Sequence, residues 1–312
     1  MATYNGVRWL GEQIDSIIAQ SDEDWQLLIS DDGSSDGTLM IVHEYLKLDS
    51  RIRLLPPRGG ERGTVANFEY LLYAALKEAD GSSDAWVVLC DQDDVWIAGK
   101  LLAQRQQLQT FAACCSDPLL SNADGAPTGG RLLAQLNADR QPQLSALLAQ
   151  NSVVGCTLAV TLPVLETALP FPQGLRNHDW WLALCALAYG SLFCDSQAWV
   201  HYRQHDANVV GAYKPKVQMQ HLPRLFTRQK AVLCSQLVAV ETLLDRLTDR
   251  GSPHPGPSVP FPPPRTALER YSQEIGSHSF WRRLRALAFG EFAAPHLPLR
   301  ALRVATSLTR FR

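Results

Sequence analysis

Three carboxylates fall within four residues in the segment Cys90-Asp91-Gln92-Asp93-Asp94-Val95-Trp96 of this 312-residue chain. Like charges at that density repel one another unless a cation or a set of hydrogen-bond donors compensates them. Hard divalent cations favour oxygen ligands, and magnesium typically takes one or two carboxylates, with phosphate oxygens and water completing its shell. A second acidic pair, Asp31-Asp32, opens the stretch Asp-Asp-Gly-Ser-Ser-Asp-Gly-Thr at 31–38. Those residue types also build ordinary tight turns, and Asp36 can cap the helix that follows. Asp179, in Asn-His-Asp-Trp-Trp at 177–181, has two readings, a helix cap or a general base, and Trp180 and Trp181 beside it begin an apolar run. His205, in His-Tyr-Arg-Gln-His-Asp at 201–206, is a candidate ligand, whereas His178 and His201 read as structural.

The elements that must hold these groups follow from apolar spacing. Leu10, Ile14, Ile17 and Ile18 share one face of a helix over 7–20, and Trp25–Ser30 is a short apolar strand running into the turn-rich 31–38. Further helices are expected at 38–48 and 66–79, and strands at 51–55 and 85–90. Such alternation implies a largely parallel sheet with helices on both faces, where ligands bind beyond the carboxyl ends of the strands. Both acidic clusters sit at such ends. Beyond residue 110 the pattern predicts a hairpin turning at Asn122-Ala123-Asp124-Gly125, a helix over 144–150, a strand over 152–160, a helix over 180–189 opened by 177–179, and a strand over 199–202. After Lys214 the pattern is helical. It is interrupted by a proline-dense linker at 253–265 and ends in an arginine-rich, aromatic tail at 278–312. That tail fits either an amphipathic helix lying on an anionic membrane or a helix packed on the domain with a solvated arginine face.

Composition narrows the function. Hydrophobic residues make up 46% and charged residues 19%, and the mean hydropathy is -0.11, which excludes a mostly disordered or collagenous chain. The net charge of -2 provides no global field for nucleic acid. The longest densely apolar stretch, Trp180 to Cys194, is shorter than the ~20 residues a transmembrane helix needs. The amino terminus lacks both the basic start and the apolar core of a signal peptide, so a cytoplasmic location is expected. The seven cysteines show no metal-ligand spacing and read as reduced core residues.

Taken in order, ATYNG (2–6), EQIDSIIAQ (12–20), DWQLLISDDGSSDGT (24–38), CDQDDVW (90–96), NHDWW (177–181) and HYRQHDANVVG (201–211) resemble the family 2 glycosyltransferases, and among them the bacterial rhamnosyltransferase-like members. The resemblance covers about residues 1–213 and implies a GT-A fold. A nucleotide-sugar-binding half would occupy 1–110, an acceptor half 111–213, and a helical extension 214–312. It also implies an inverting transfer from a nucleotide-diphosphate sugar, for which dTDP-rhamnose is the expected donor, to a lipid-linked or cell-surface glycan, with Mg2+ or Mn2+ as cofactor. Carried over by position, Thr3, Tyr4 and Asn5 would line the base pocket. Asp31 and Asp32 would contact base or ribose, and Asp91 the ribose. Asp93 would hold the metal with His205 from the closing segment, Asp94 close by would bind the donor, Asp179 would be the base, and Trp180 and Trp181 would pack against the acceptor sugar. Two departures stand out: the apolar strand expected before ATYNG is not in the sequence, and Asp206 replaces a usual glycine. A catalytically inactive glycan- or partner-binding remnant lacking that strand is the alternative. Peripheral contact with the inner face of the membrane, through the tail, is the further expectation.

Overall fold

The computed structural model describes residues 1–79, 84–136, 143–206, 208, 222–249 and 264–276. In the first hundred residues the alternation is as expected: β1 (Ala2–Thr3), α1 (Leu10–Ile18), β2 (Leu27–Asp31), α2 (Thr38–Leu48), β3 (Ile52–Leu54), α3 (Thr64–Glu78) and β4 (Trp86–Val88). The strands β1, β2 and β3 pair in parallel, with Ala2 opposite Ser30 and Leu27 opposite Ile52. Helix α1 lies against them because Leu10, Ile14 and Ile17 recur on one face at helical spacing and are all buried.

There follow β5 (Val95–Trp96), α4 (Lys100–Leu108), β6 (Ala113–Ser116), β7 (Leu119–Ser121), β8 (Pro127–Arg131), α5 (Leu132–Leu136), α6 (Leu144–Ala149), β9 (Ala159–Thr161), α7 (Leu162–Ala168), α8 (His178–Tyr189), β10 (Leu192–Asp195), β11 (Val200–Arg203), α9 (Leu222–Asp249) and α10 (Pro264–Ile275). A second sheet runs β10-β6-β9-β4, in which β9 is antiparallel to both neighbours and β6 is parallel to β10. A third runs β5-β11-β7-β8 and includes the expected hairpin, turning at Asn122–Gly125. The architecture is thus mixed α/β, parallel in its first sheet and mixed in the other two.

Two expectations need correction. The apolar run 152–160 is not one strand: the chain turns through a 3-10 segment at Gly155–Thr157, and only Ala159–Thr161 pairs. Gly155 passes so close to α8 that a Cβ there would lie 3.4 Å from His178 Nε2 and 3.5 Å from Asp179 Cβ. The first strand is also not wholly absent, since Ala2–Thr3 still pairs with Ser30–Asp31.

Apolar side chains gather into two clusters. One contains Met1, Leu10, Ile14, Ile17, Leu27, Ile29 and Trp96. The other is built around α3, α7 and α8, and α8 is buried almost all round, as an apolar helix without a polar stripe must be. Ala239, Val240 and Leu243 of α9 and Leu268, Tyr271 and Ile275 of α10 join this second cluster, so the described helices after residue 213 share a core with the preceding residues. Most of the proline-rich segment and the whole tail 278–312 lie outside the described residues. Among those described, no helix is long and apolar enough to cross a membrane.

Candidate functional site

The two acidic segments fold at the carboxyl ends of β2 and β4 and meet through the residues after β1. Gln92 clamps them: its Nε2 donates to Tyr4 O at 2.9 Å and its Oε1 accepts from Tyr4 N at 2.9 Å. Gly6 is required beside this clamp, because a Cβ there would stand 2.2 Å from Gln92 Oε1.

The segment 31–38 is a hydrogen-bonded turn. Asp31 Oδ1 accepts from Thr3 Oγ1 at 2.9 Å and from Ser34 Oγ, while Oδ2 accepts from the amides of Gly33 and Ser34 at 3.0 and 2.8 Å. Four bonds fill the acceptor sites of a carboxylate, which corrects the expectation that Asp31 contacts a donor. Thr3, 1% exposed, likewise serves the turn rather than lining a pocket. Asp36 takes the amides of Val7 and Thr38 and the Thr38 hydroxyl, and these hydrogen bonds hold its carboxyl below the usual range against the opposing effect of burial. Asp32 pairs with Arg58 and accepts from Gly63 N at 2.7 Å. Tyr4 and Asn5 are exposed at the rim, and Asn5 is held at φ 49 with its side-chain oxygen accepting the Ser35 amide at 2.8 Å.

The segment 91–94 is in a different state. Single ligand atoms from Asp91, Asp94 and Cys156 lie within 4.8 Å of one another. Burial, then the charges of Asp93 and Asp179, push the Asp91 carboxyl up to about 7. Asp94 is raised well above the carboxylate range by burial and by Asp93 and Asp91. Its Oδ1 accepts the Arg203 amide at 3.1 Å, while Oδ2 is buried without a hydrogen-bond partner. Asp93 Oδ2 is 2.9 Å from His205 Nε2, and the His205 ring stacks on Trp9 at 3.8 Å between centroids. Buried carboxylate oxygens short of donors, with an imidazole beside them, form a donor set that fits a hard divalent cation. The Cys156 thiol, pushed well above its usual range by burial, stays protonated and is a poor ligand for such an ion.

Asp179 sits in the first turn of α8, whose cap position is Asn177, so it is not the N-cap. Its Oδ1 accepts from Asn151 Nδ2 at 3.2 Å and from Trp180 N at 2.7 Å, and its charge is felt at Asp91. Trp180 and Trp181 depart from expectation. They are 3% and 0% exposed, with indole N–H groups donating to Leu147 O at 2.8 Å and Ala168 O at 2.9 Å, so they build core and present no face to an acceptor.

Several residues at the site had no role assigned from sequence. Arg203, 2% exposed, donates from Nε to Asp93 O at 2.8 Å and from Nη1 to Ala123 O at 3.2 Å, and pairs with Glu12, thereby fixing the acidic loop to α1 and the hairpin turn. Its place in the His-Tyr-Arg-Gln-His motif was the available signal. Trp9, Arg58 and Asn151 carried none, since they reach the site from loops distant in sequence.

Residues 1–150 match the model of glycosyl transferase family 2. The chain is 33% identical over 224 residues to the dTDP-rhamnosyl transferase RfbG of Shigella flexneri, covering 68% of this chain and 74% of that protein. It is 36% identical over 187 residues to the UDP-Glc:alpha-D-GlcNAc-diphosphoundecaprenol beta-1,3-glucosyltransferase WfgD of Escherichia coli, covering 60% and 68%. Among solved structures, the mannosyltransferase PcManGT of Pyrobaculum calidifontis, in complex with GDP-Man and Mn2+, superposes with a TM-score of 0.53 over 98% of this chain and 78% of that one, at 18% identity. The fold is of the GT-A type, and the chain belongs to glycosyl transferase family 2.

Proposed function

We propose that this glycosyltransferase moves rhamnose from dTDP-rhamnose to a lipid-linked glycan, with inversion, using a divalent cation held by Asp93 and His205. The observation that carries the reading is the convergence of the Asp91 and Asp93 carboxylates with His205 and Asp179 at the carboxyl end of β4. Asp94, itself short of a partner, stands beside them. The relatives' names supply the two substrates: a dTDP-rhamnosyl transferase supports the donor, and an enzyme acting on a diphosphoundecaprenol-linked sugar supports the acceptor. A bound Mg2+ or Mn2+ supplies Lewis-acid stabilisation of the negative charge that grows on a departing nucleoside diphosphate.

The chain's own groups do the rest. Asp91 meets the ribose hydroxyls, and Asp32, which keeps lone pairs beyond those given to Arg58 and Gly63, meets the base together with Tyr4 and Asn5. Asp179 accepts the proton of the acceptor hydroxyl as that oxygen bonds to the anomeric carbon on the face opposite the leaving group. Asn151 and the Trp180 amide hold one oxygen of Asp179 in place, leaving the other as the proton acceptor. Arg203 fixes the backbone of Asp93, and Trp9 fixes the ring of His205.

The test is release of dTDP from dTDP-rhamnose by the full chain with manganese and an undecaprenyl-diphosphate-linked acceptor, run beside UDP-glucose and GDP-mannose. Rhamnose transfer that stops with chelator supports the reading, and preference for another donor overturns the donor assignment. Asp179→Asn is expected to keep donor binding and lose ~10²–10⁴-fold in turnover. Turnover equal to the parent's removes Asp179 as base.

A further inference from the structure

The ladder of β11 ends at Arg203, opposite Ser121, and the chain leaves the sheet at Gln204, whose amide still donates to Ser121 O at 2.9 Å. The turn that follows has no strand partner to hold it, and Asp206 at its tip is exposed. It is closed by one side chain. Asn208 Oδ1 accepts from the His205 amide at 2.7 Å, and Asn208 Nδ2 donates to Arg203 O at 2.8 Å. The backbone amide of Asn208 donates to His205 O at 3.2 Å, and its side chain also hydrogen-bonds the Tyr202 hydroxyl. Tyr202, Arg203 and His205 are thereby tied to a single residue.

A carboxamide is suited to this task because it carries an acceptor and a donor at the end of a short stem, and asparagine commonly closes local turns through such bonds to the backbone. Aspartate at this position could accept from the His205 amide but could not donate to Arg203 O, and it would add a negative charge close to the acidic loop. Alanine would supply neither bond.

The two backbone positions that the Asn208 side chain bridges are those that touch the acidic loop. Arg203 N donates to Asp94 Oδ1 at 3.1 Å and Arg203 Nε to Asp93 O at 2.8 Å, while His205 Nε2 lies 2.9 Å from Asp93 Oδ2. Stacking on Trp9, at 3.8 Å between centroids, sets the plane of the His205 ring. How far the ring reaches toward Asp93 depends instead on where the His205 backbone stands, and Asn208 fixes that position relative to Arg203, which is already anchored in β11 and on the loop.

We infer, on the reading that Asp93 and His205 hold a divalent cation, that Asn208 is a positioning residue for that site: it holds the His205 backbone so that Nε2 and the Asp93 carboxylate face one ion. Groups that orient a metal ligand typically change affinity by ~10–100-fold when removed, although they touch no metal themselves.

The test is titration of manganese into the full chain with dTDP, read by calorimetry, for the parent, Asn208→Ala, His205→Ala and the double variant. Asn208→Ala is expected to weaken manganese binding ~10–100-fold. His205→Ala is expected to weaken it at least as much, and the double variant to bind like His205→Ala, since a group that acts through another has nothing to act on once that other is gone. Amide exchange at His205 is expected to speed up ~10-fold or more in Asn208→Ala, with Ala113 and Val160 in the core unchanged. Parental manganese binding by Asn208→Ala, beside weakened binding by His205→Ala, overturns the inference and leaves the cation reading standing. Parental binding by His205→Ala overturns that reading and the inference with it. A double variant weaker than His205→Ala by the whole Asn208 factor shows Asn208 acting on the loop at large, and overturns the inference alone. So does loss of protection at Ala113 and Val160, which would make Asn208 a residue of the general fold.

Discussion

The loops at 31–38 and 91–94 have nearly the same chemistry, three aspartates each, and stand at the ends of strands in the same half of the molecule. They differ in how the charge is met. In the first, Asp31 and Asp36 are surrounded by amides and hydroxyls from their own turn, and Asp32 is paired with Arg58. In the second, Asp91 and Asp94 are raised in pKa by desolvation and by neighbouring acids, and one oxygen of Asp94 is buried without a hydrogen-bond partner. A loop whose acids are satisfied is scaffold, whereas crowding acids together raises the cost of their charge, which a proton or a cation can relieve. Acidic residues in a sequence do not reveal which state they are in; the donors around them decide it.

The comparison is broken most decisively at Asp93. Asp93→Asn is expected to lower turnover by at least ~10³-fold and to abolish the manganese dependence of donor binding, read by calorimetry with and without chelator. Manganese-dependent binding at parental strength in this variant would mean that the second loop is no more a cation site than the first. A smaller effect, in stability rather than rate, is expected from the opposite loop: Asp31→Ala costs about 3 kcal/mol in denaturant unfolding, because two amides and two hydroxyls lose a charged acceptor. In the same measurement with chelator present, Asp94→Asn is expected to leave stability unchanged or raised. A loss as large as that of Asp31→Ala would erase the distinction.

The smallest effect comes from Lys100, which is fully buried beneath the second loop, with its ammonium 3.8 Å from the Trp96 ring centroid. Burial lowers it to about 8, below its unfolded value, so the folded chain releases this proton first and this group's own contribution to stability rises as pH climbs from about 8 to about 10.4. The thiols of Cys90 and Cys114, pushed to about 12 by burial, work the other way, because in the unfolded chain they ionise from about 8.5 while in the folded one they stay protonated. Lys100→Met is expected to remove that contribution, making the change in stability from pH 7.5 to pH 10 less favourable than the parent's by on the order of 2 kcal/mol in unfolding curves. An unchanged slope would place the ammonium in contact with water.

Much of this was legible in the sequence because it rests on local pattern. Leu10, Ile14 and Ile17 mark α1 by spacing alone, and Thr38–Leu48 is the helix the periodicity predicts. The acidic loops were found because strand ends and turn residues are local features too. What escaped depends on distant partners. Trp180 and Trp181 have the residue type of a sugar platform, yet Leu147 O and Ala168 O, from other elements, draw their N–H groups inward. Asp31 has the residue type of a ligand contact, yet Thr3 and Ser34 fill its oxygens. Gly155 opens a 3-10 turn inside an apolar run, at a point where His178 and Asp179 of α8 pack beside it. In each case the deciding atom comes from outside the motif.

The guanidinium of Arg203 grips the backbone of Asp93 and reaches Glu12 near the other end of the domain. Closing a contact over so long a stretch is entropically slow and comes late in folding. A nascent chain that has emerged only as far as residue 150 already carries all six loop aspartates but lacks the grip that orders three of them. Competence of the acidic loop therefore arrives with the last strand, and a proteolytic cut just upstream of that strand would disarm the enzyme without removing a single one of those acids.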